Sequence, residues 1–277
     1  MTRTSPEMVS NKYLRCSAWA QSESIDPVGT IGSYVGYTLV ETPLPWPRDI
    51  GEIPEVAIHA GPAVRVQALV PSSSGSRSVI TYRSDPDLPF AGYETEREGG
   101  DVLICTHGRR DICCGSMGTE LAAQLLPRST EATRFWRTSH TGGHRFAPTF
   151  LVLPEGTGWA FASPELVDQV LTRVVPFTTV AAHYRGCAGL PGPEVQAVER
   201  SVLCAVGWDL LDRPRSGFLT GETVSHDGQV ARLDSGADRW EAVVRPARIM
   251  PVPDCTKPLS ESTKTETEWS VTDLRTL

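Results

Sequence analysis

The chain has 277 residues, 40% hydrophobic and 21% charged, with a formal net charge of −7. That length and balance suit a soluble globular protein with a real core, in one large domain or two small ones, and no run reaches the roughly 18 apolar residues of a membrane span. The acidic excess argues against a nucleic-acid binder, which needs clustered Lys and Arg, and is compatible with an acidic surface that docks a basic redox partner.

Taken in chain order, residues 1–13 read as a loose polar start. No apolar h-region of a signal peptide follows, so the expected compartment is the cytoplasm. Residues 34–47 read as a strand ended by three prolines, and 64–70 and 78–84 as two strands around the turn-rich segment 71–77. Residues 85–100 read as a polar linker. The run 101–108, rich in Val, Leu and Ile and closed by a glycine, predicts a buried strand. A helix is expected over 116–127, where Leu121, Ala122 and Leu125 share a face and Pro127 is the stop.

Further on, 132–140 reads as a strand, 146–156 and 157–163 as a hairpin, and 163–174 as a helix capped by Ser163. Strand, helix, strand, strand, strand, helix over 101–174 is the order of a thioredoxin-like domain. Residues 191–208 predict an amphipathic helix with Val195, Val198, Val202, Leu203 and Val206 on its apolar face. Two strands, 228–235 and 239–249, flank a turn near Gly236. The Ser-, Thr-, Lys- and Glu-rich end, 254–277, is expected to be disordered. The fold class expected is α/β: an N-terminal α/β extension over 1–98, a thioredoxin-like domain over 99–180 and a smaller C-terminal α/β segment over 181–253.

The cysteines carry the chemistry. There are seven, at 16, 105, 113, 114, 187, 204 and 255. A reducing compartment would keep them as thiols, so a disulfide framework is not expected. Cys105, Cys113 and Cys114 cluster where a strand ends and a helix starts. There the helix dipole, with Arg109 and Arg110, favours the thiolate that binds metal. His140 and His144 flank Thr-Gly-Gly, and the paired glycines predict a loop folded closely around something. Two sulfurs and two imidazoles complete a metal shell that suits zinc or an iron–sulfur cluster, and mixed Cys/His ligation is the Rieske pattern.

Alternatives stay open on spacing alone. Cys113 rivals Cys114 as the second thiolate, and His107 is a rival ligand. A structural zinc on the same ligands is one alternative function, and a thiol redox sensor using Cys113 and Cys114 is another. Cys105 and Arg110 enclose four residues, one too few for a tyrosine-phosphatase loop. Arg109 and Arg145 are candidates to hydrogen-bond near the site. Cys16, Cys187, Cys204 and Cys255 look scattered, Cys204 reads as a packed small hydrophobe, and His59, His183 and His226 show no partner pattern. Trp136 and Trp159 are expected in the core.

The segments CTHGRRDICCG (105–115) and SHTGGHRFAPTFLVLPEGTGW (139–159) resemble the signature of the sucrase/ferredoxin-like family, a branch of the thioredoxin-like ferredoxins. The resemblance is strong over about 100–165 and weaker around DPVGTIGSY, ETPLPWP and YRGCAGLPGPEVQAVE. It implies a 2Fe–2S cluster on Cys105, Cys114, His140 and His144, and one-electron transfer as the function. It gives no support to a sucrase, because no positioned carboxylate pair is found. The absence of a G-x-G-x-x-G after a strand leaves the chain dependent on an external reductase or electron acceptor protein. No nucleic acid and no membrane are expected as partners, and the oligomeric state is open.

Overall fold

The run Val102, Leu103, Ile104 is buried on both faces and sets the centre of the molecule. Side chains alternate across a strand, so Val102 and Ile104 enter one apolar cluster and Leu103 enters another on the opposite face. The computed structural model describes residues 15–71, 78–84, 92–96, 98–225 and 227–277. The expected loose start at 1–13, most of the turn segment 71–77, part of the 85–100 linker and His226 lie outside the described residues.

The elements are α1 (Cys16–Ser22), β1 (Gly36–Glu41), α2 (Pro54–Ala57), β2 (Val64–Leu69), β3 (Val79–Arg83), β4 (Gly100–Cys105), α3 (Ile112–Leu125), β5 (Thr133–Thr138) and β6 (Phe150–Leu153). They continue with β7 (Thr157–Trp159), α4 (Pro164–Thr172), α5 (Phe177–Val180), β8 (Tyr184–Cys187), α6 (Gly192–Val206), β9 (Ser216–Val224), β10 (Gly228–Ser235), β11 (Asp238–Pro251) and β12 (Thr265–Thr276). None of the described helices is long and apolar enough to cross a membrane.

Among the described residues, β1 to β8 form one eight-stranded sheet in the order β3-β1-β2-β5-β4-β6-β7-β8. The pairs β1/β2 and β4/β5 are parallel and the others antiparallel, so the protein is mixed α/β. The N-terminal strands continue the central sheet, joined where Leu69 faces Thr138. Buried Asp101 ties the halves together, accepting from Arg134 Nε and Trp136 Nε1, each at 2.8 Å, and from the Tyr82 hydroxyl.

Strands β9 to β12 form a separate antiparallel sheet. Helix α6 packs on β8 of the first sheet and on β10 and β12 of the second. Its Val195, Val198, Val202 and Leu203 share a core with Trp159, Leu233 and Trp240. Trp159 is buried as expected, while Trp136 is only partly buried.

Three expectations change. Helix α3 starts at Ile112 and not at 116, because Asp111 caps it by accepting the Cys113 N–H at 2.9 Å. Val206 and Cys204 are exposed: both lie in the last turn of α6, where residues 204–206 are all open to solvent. Residues 265–276, within the stretch expected to be disordered, form β12 against β11, with Trp269, Val271 and Leu274 packed on the core.

Candidate metal centre

Two glycines bring α3 onto the end of β4. A Cβ on Gly118 would lie 1.9 Å from the Cys105 carbonyl oxygen, and one on Gly115 would lie 2.4 Å from Gly108 Cα. Only hydrogen at these positions lets the helix approach closely enough to set Cys114 beside Cys105. Both cysteines are fully buried. Their sulfurs lie 3.9 Å (Cys105) and 4.0 Å (Cys114) from His140 Nδ1, and the three donor atoms lie within 4.8 Å of one another.

His140 comes from the loop after β5. Its carbonyl oxygen accepts from Arg65 Nη2 at 2.6 Å and from Gln67 Nε2 at 3.3 Å. The next turn needs its glycines: Gly142 and Gly143 have φ of +85° and +64°. A Cβ on Gly143 would meet the guanidinium of buried Arg185 at 2.6 Å. Arg185 Nη1 in turn donates to the Gly142 carbonyl at 3.3 Å.

His144 sits beside this triad and not inside it. Its ring centroid is 5.8 Å from that of His140, and its Nε2 lies 3.0 Å from the Pro253 carbonyl oxygen. A carbonyl only accepts, so Nε2 carries the proton and Nδ1 of the neutral ring keeps its lone pair.

The rivals separate cleanly. Cys113 turns to a second group with Cys16, Asp111 and Cys255, whose donor atoms also lie within 4.8 Å of one another. His107 is buried, with Nε2 2.8 Å from the Pro47 carbonyl, and stands outside both groups. Burial lowers its pKa. Arg145 is buried, with Nη2 donating to Glu266 at 2.6 Å, whereas Arg109 is exposed.

Both groups hold a thiolate ready for metal. A hydrogen bond from the Cys114 thiol holds Cys105 well below its ordinary value against burial, and the same contact, with burial, holds Cys114 well above its own. Hydrogen bonds from Cys16 and Cys255 bring Cys113 down to about 3. Burial raises Asp111.

A cavity of about 520 Å³ opens beside His140, with Arg48, Arg65, Arg110 and His107 on its walls and Asp49 as the one acidic residue there. His140 is half-buried at this edge, while the cysteines lie behind it. The rim is therefore locally cationic despite the acidic chain.

Fold and site together define a mixed α/β protein with buried cysteine-rich groups able to hold metal. Residues 58–186 match the family described as sucrase/ferredoxin-like, which supports the resemblance carried by the two motifs. Cys105, Cys114, His140 and His144 fall inside the matched stretch, and Cys16 and Cys255 fall outside it. No curated protein and no solved structure matches the chain.

The sequence reading missed Cys16, Asp111 and Cys255 as a group with Cys113. Only Asp111 and Cys113 are close in the chain. Cys16 and Cys255 are 239 residues apart, a separation that leaves no spacing signal.

Proposed function

We propose that the chain is a redox protein that holds a 2Fe–2S cluster on Cys105, Cys114, His140 and His144 and exchanges single electrons with an external reductase or acceptor in the cytoplasm. The observation that carries this reading is the convergence of the Cys105 and Cys114 sulfurs with His140 Nδ1. The donor chemistry fits the group: two buried soft sulfurs, an imidazole nitrogen facing them, and a second imidazole whose Nε2 is tied to a carbonyl. When bound, such a cluster supplies one-electron oxidation and reduction, at a potential that imidazole ligands raise.

The chain's own residues do the rest. Arg65 and Gln67 hold the His140 backbone, and Arg185 supports the turn between the histidines. The protein buries the sulfurs away from water and leaves His140 at the cavity edge, the short route for an electron. The order β4-α3-β5-β6-β7-α4, with β5, β4, β6 and β7 adjacent in the sheet, supports a thioredoxin-like reading of this part of the chain.

The second reading is one zinc ion, favoured by the same 4.8 Å spacing. Sulfur and nitrogen ligands of a tetrahedral zinc lie about 3.6 Å apart, close to the distances seen. A thiol sensor pairing Cys113 with Cys114 has less support, because the two sulfurs sit in different groups.

An anaerobic ultraviolet–visible spectrum, with iron and acid-labile sulfide measured on the same protein, tests the proposal. A brown protein with roughly two irons and two sulfides per chain is expected. A colourless protein that takes up no cluster from iron and sulfide would overturn it and leave zinc.

A further inference from the structure

We propose that Cys16, Asp111, Cys113 and Cys255 form a second metal site, a closed structural zinc centre separate from the site of Cys105 and Cys114. All four side chains are buried, with exposures of 0%, 6%, 1% and 7% respectively. Cys113 Sγ lies 3.2 Å from Cys255 Sγ, which lies 3.3 Å from Cys16 Sγ. Asp111 Oδ1 is 3.4 Å from Cys16 Sγ and 3.3 Å from Cys255 Sγ.

Three mutually close sulfurs cannot be explained by one disulfide, which would take two and strand the third beside a buried carboxylate. One divalent ion satisfies all four donors. Thiolates around tetrahedral zinc lie about 3.8 Å apart, so the cage needs to open by only about half an ångström to accept the ion. Three thiolates select zinc, Cu(I) or iron, and a carboxylate oxygen as fourth donor disfavours Cu(I). Four protein donors with no exposed face describe a structural and not a catalytic zinc.

The surroundings suit a negatively charged shell. Cys113 lies in the first turn of the 14-residue helix α3, where the dipole favours anions. The backbone N–H groups of Cys113 and Cys255 donate to Asp111, and that of Cys16 to Cys255 Sγ. An ion here fastens the start of α1, the start of α3 and the segment at 253–255. That segment also supplies the carbonyl that holds His144. The zinc centre would therefore brace the redox site without sharing a ligand with it.

The test is zinc and iron content of the full chain, purified without chelator, for wild type, Cys105→Ser and Cys255→Ser. Roughly one zinc per chain is expected in wild type and in Cys105→Ser, falling to a tenth or less in Cys255→Ser. Zinc absent from the wild type, a zinc content in Cys255→Ser equal to that of the wild type, or a Cys105→Ser left with none overturns the proposal, whereas a wild type with two zincs of which each variant loses one overturns only the cluster reading. If Cys255→Ser does not fold, zinc-edge X-ray absorption on the wild type decides. A shell of three sulfurs near about 2.3 Å and one light atom supports the site, and a shell of two sulfurs and two nitrogens overturns it.

Discussion

Cys113 and Cys114 are neighbours in the chain but point into different groups: Cys114 joins Cys105 and His140, and Cys113 joins Cys16, Asp111 and Cys255. The cause is helical geometry, since consecutive residues leave a helix about 100° apart. The first prediction follows directly. Cys114→Ser and Cys105→Ser lose most of the iron and visible absorbance. Cys113→Ser keeps both and loses zinc instead. Metal content and spectra of the three variants check it, and a bleached Cys113→Ser with a normal Cys114→Ser would reverse the assignment.

Gly118 lets helix α3 close on β4, which sets Cys114 beside Cys105. An alanine there would set a methyl 1.9 Å from the Cys105 carbonyl oxygen, which is backbone and cannot rotate away. The helix must shift, at a cost of about 1–3 kcal/mol or more, larger than the ~1 kcal/mol that alanine gains in helix propensity. Gly118→Ala should lower both stability and iron content. Ser116→Ala on the exposed face of α3 should change neither. Urea unfolding and iron assays on the two variants separate these outcomes.

How far the sequence led depended on distance along the chain. Strand β4, helix α3 and the loop with His140 are local, and an unbroken apolar run, an apolar helix face stopped by Pro127 and paired glycines mark them before any fold is known. The start of α3 was hidden because Asp111 acts as a cap and Ile112 to Gly115 carry no apolar period. Strand β12 was hidden by its composition: Trp269, Val271 and Leu274 are spread among Thr, Glu and Ser, and it is pairing with β11 that orders them. Cys16 and Cys255 became partners only where the start of α1 and the segment after β11 meet beside Cys113. The tie between His144 and Pro253 likewise depends on a contact 109 residues away.

The imidazoles of His140 and His144 should set the potential of the proposed cluster. A thiolate in place of a neutral imidazole adds negative charge and stabilises the oxidised cluster, so His140→Cys or His144→Cys should retain a cluster at a lower potential. The drop is expected on the order of hundreds of millivolts, the separation between Rieske and all-cysteine centres. Each replacement should also weaken the dependence of the potential on pH, because it removes an imidazole able to lose a proton on oxidation. Voltammetry between pH 6 and 10 checks both effects.

Alkaline stability should depend on Cys187. Burial, with a smaller contribution from Glu199, pushes its thiol up to about 12, from an ordinary value near 9. The folded state therefore binds this proton more tightly than the unfolded state. Its contribution is fully present below about pH 9 and is lost as pH rises toward 12, at roughly 1.4 kcal/mol per unit. Cys187→Ala removes this slope while costing stability at neutral pH through the lost packing. Urea unfolding at pH 7, 9 and 10.5 should show the gap between wild type and variant narrowing with pH. A gap that stays constant would mean the thiol ionises in the folded protein as it does in the unfolded chain.

The cationic rim beside His140 should choose the electron partner. The acidic net charge alone suggested a basic partner, but Arg48, Arg65 and Arg110 line the cavity at the exposed edge of the site. Potential at the docking point governs encounter more than net charge does. Arg48 and Arg110 make no hydrogen bond to the site ligands among the described contacts, so Arg48→Glu and Arg110→Glu test the surface without dismantling the centre. With an acidic one-electron donor, each should slow cluster reduction by roughly tenfold at low salt. The difference from wild type should shrink as ionic strength rises, while the spectrum stays unchanged. Stopped-flow reduction across a salt series measures this. Reduction as fast in both variants as in wild type at low salt would place the docking surface elsewhere.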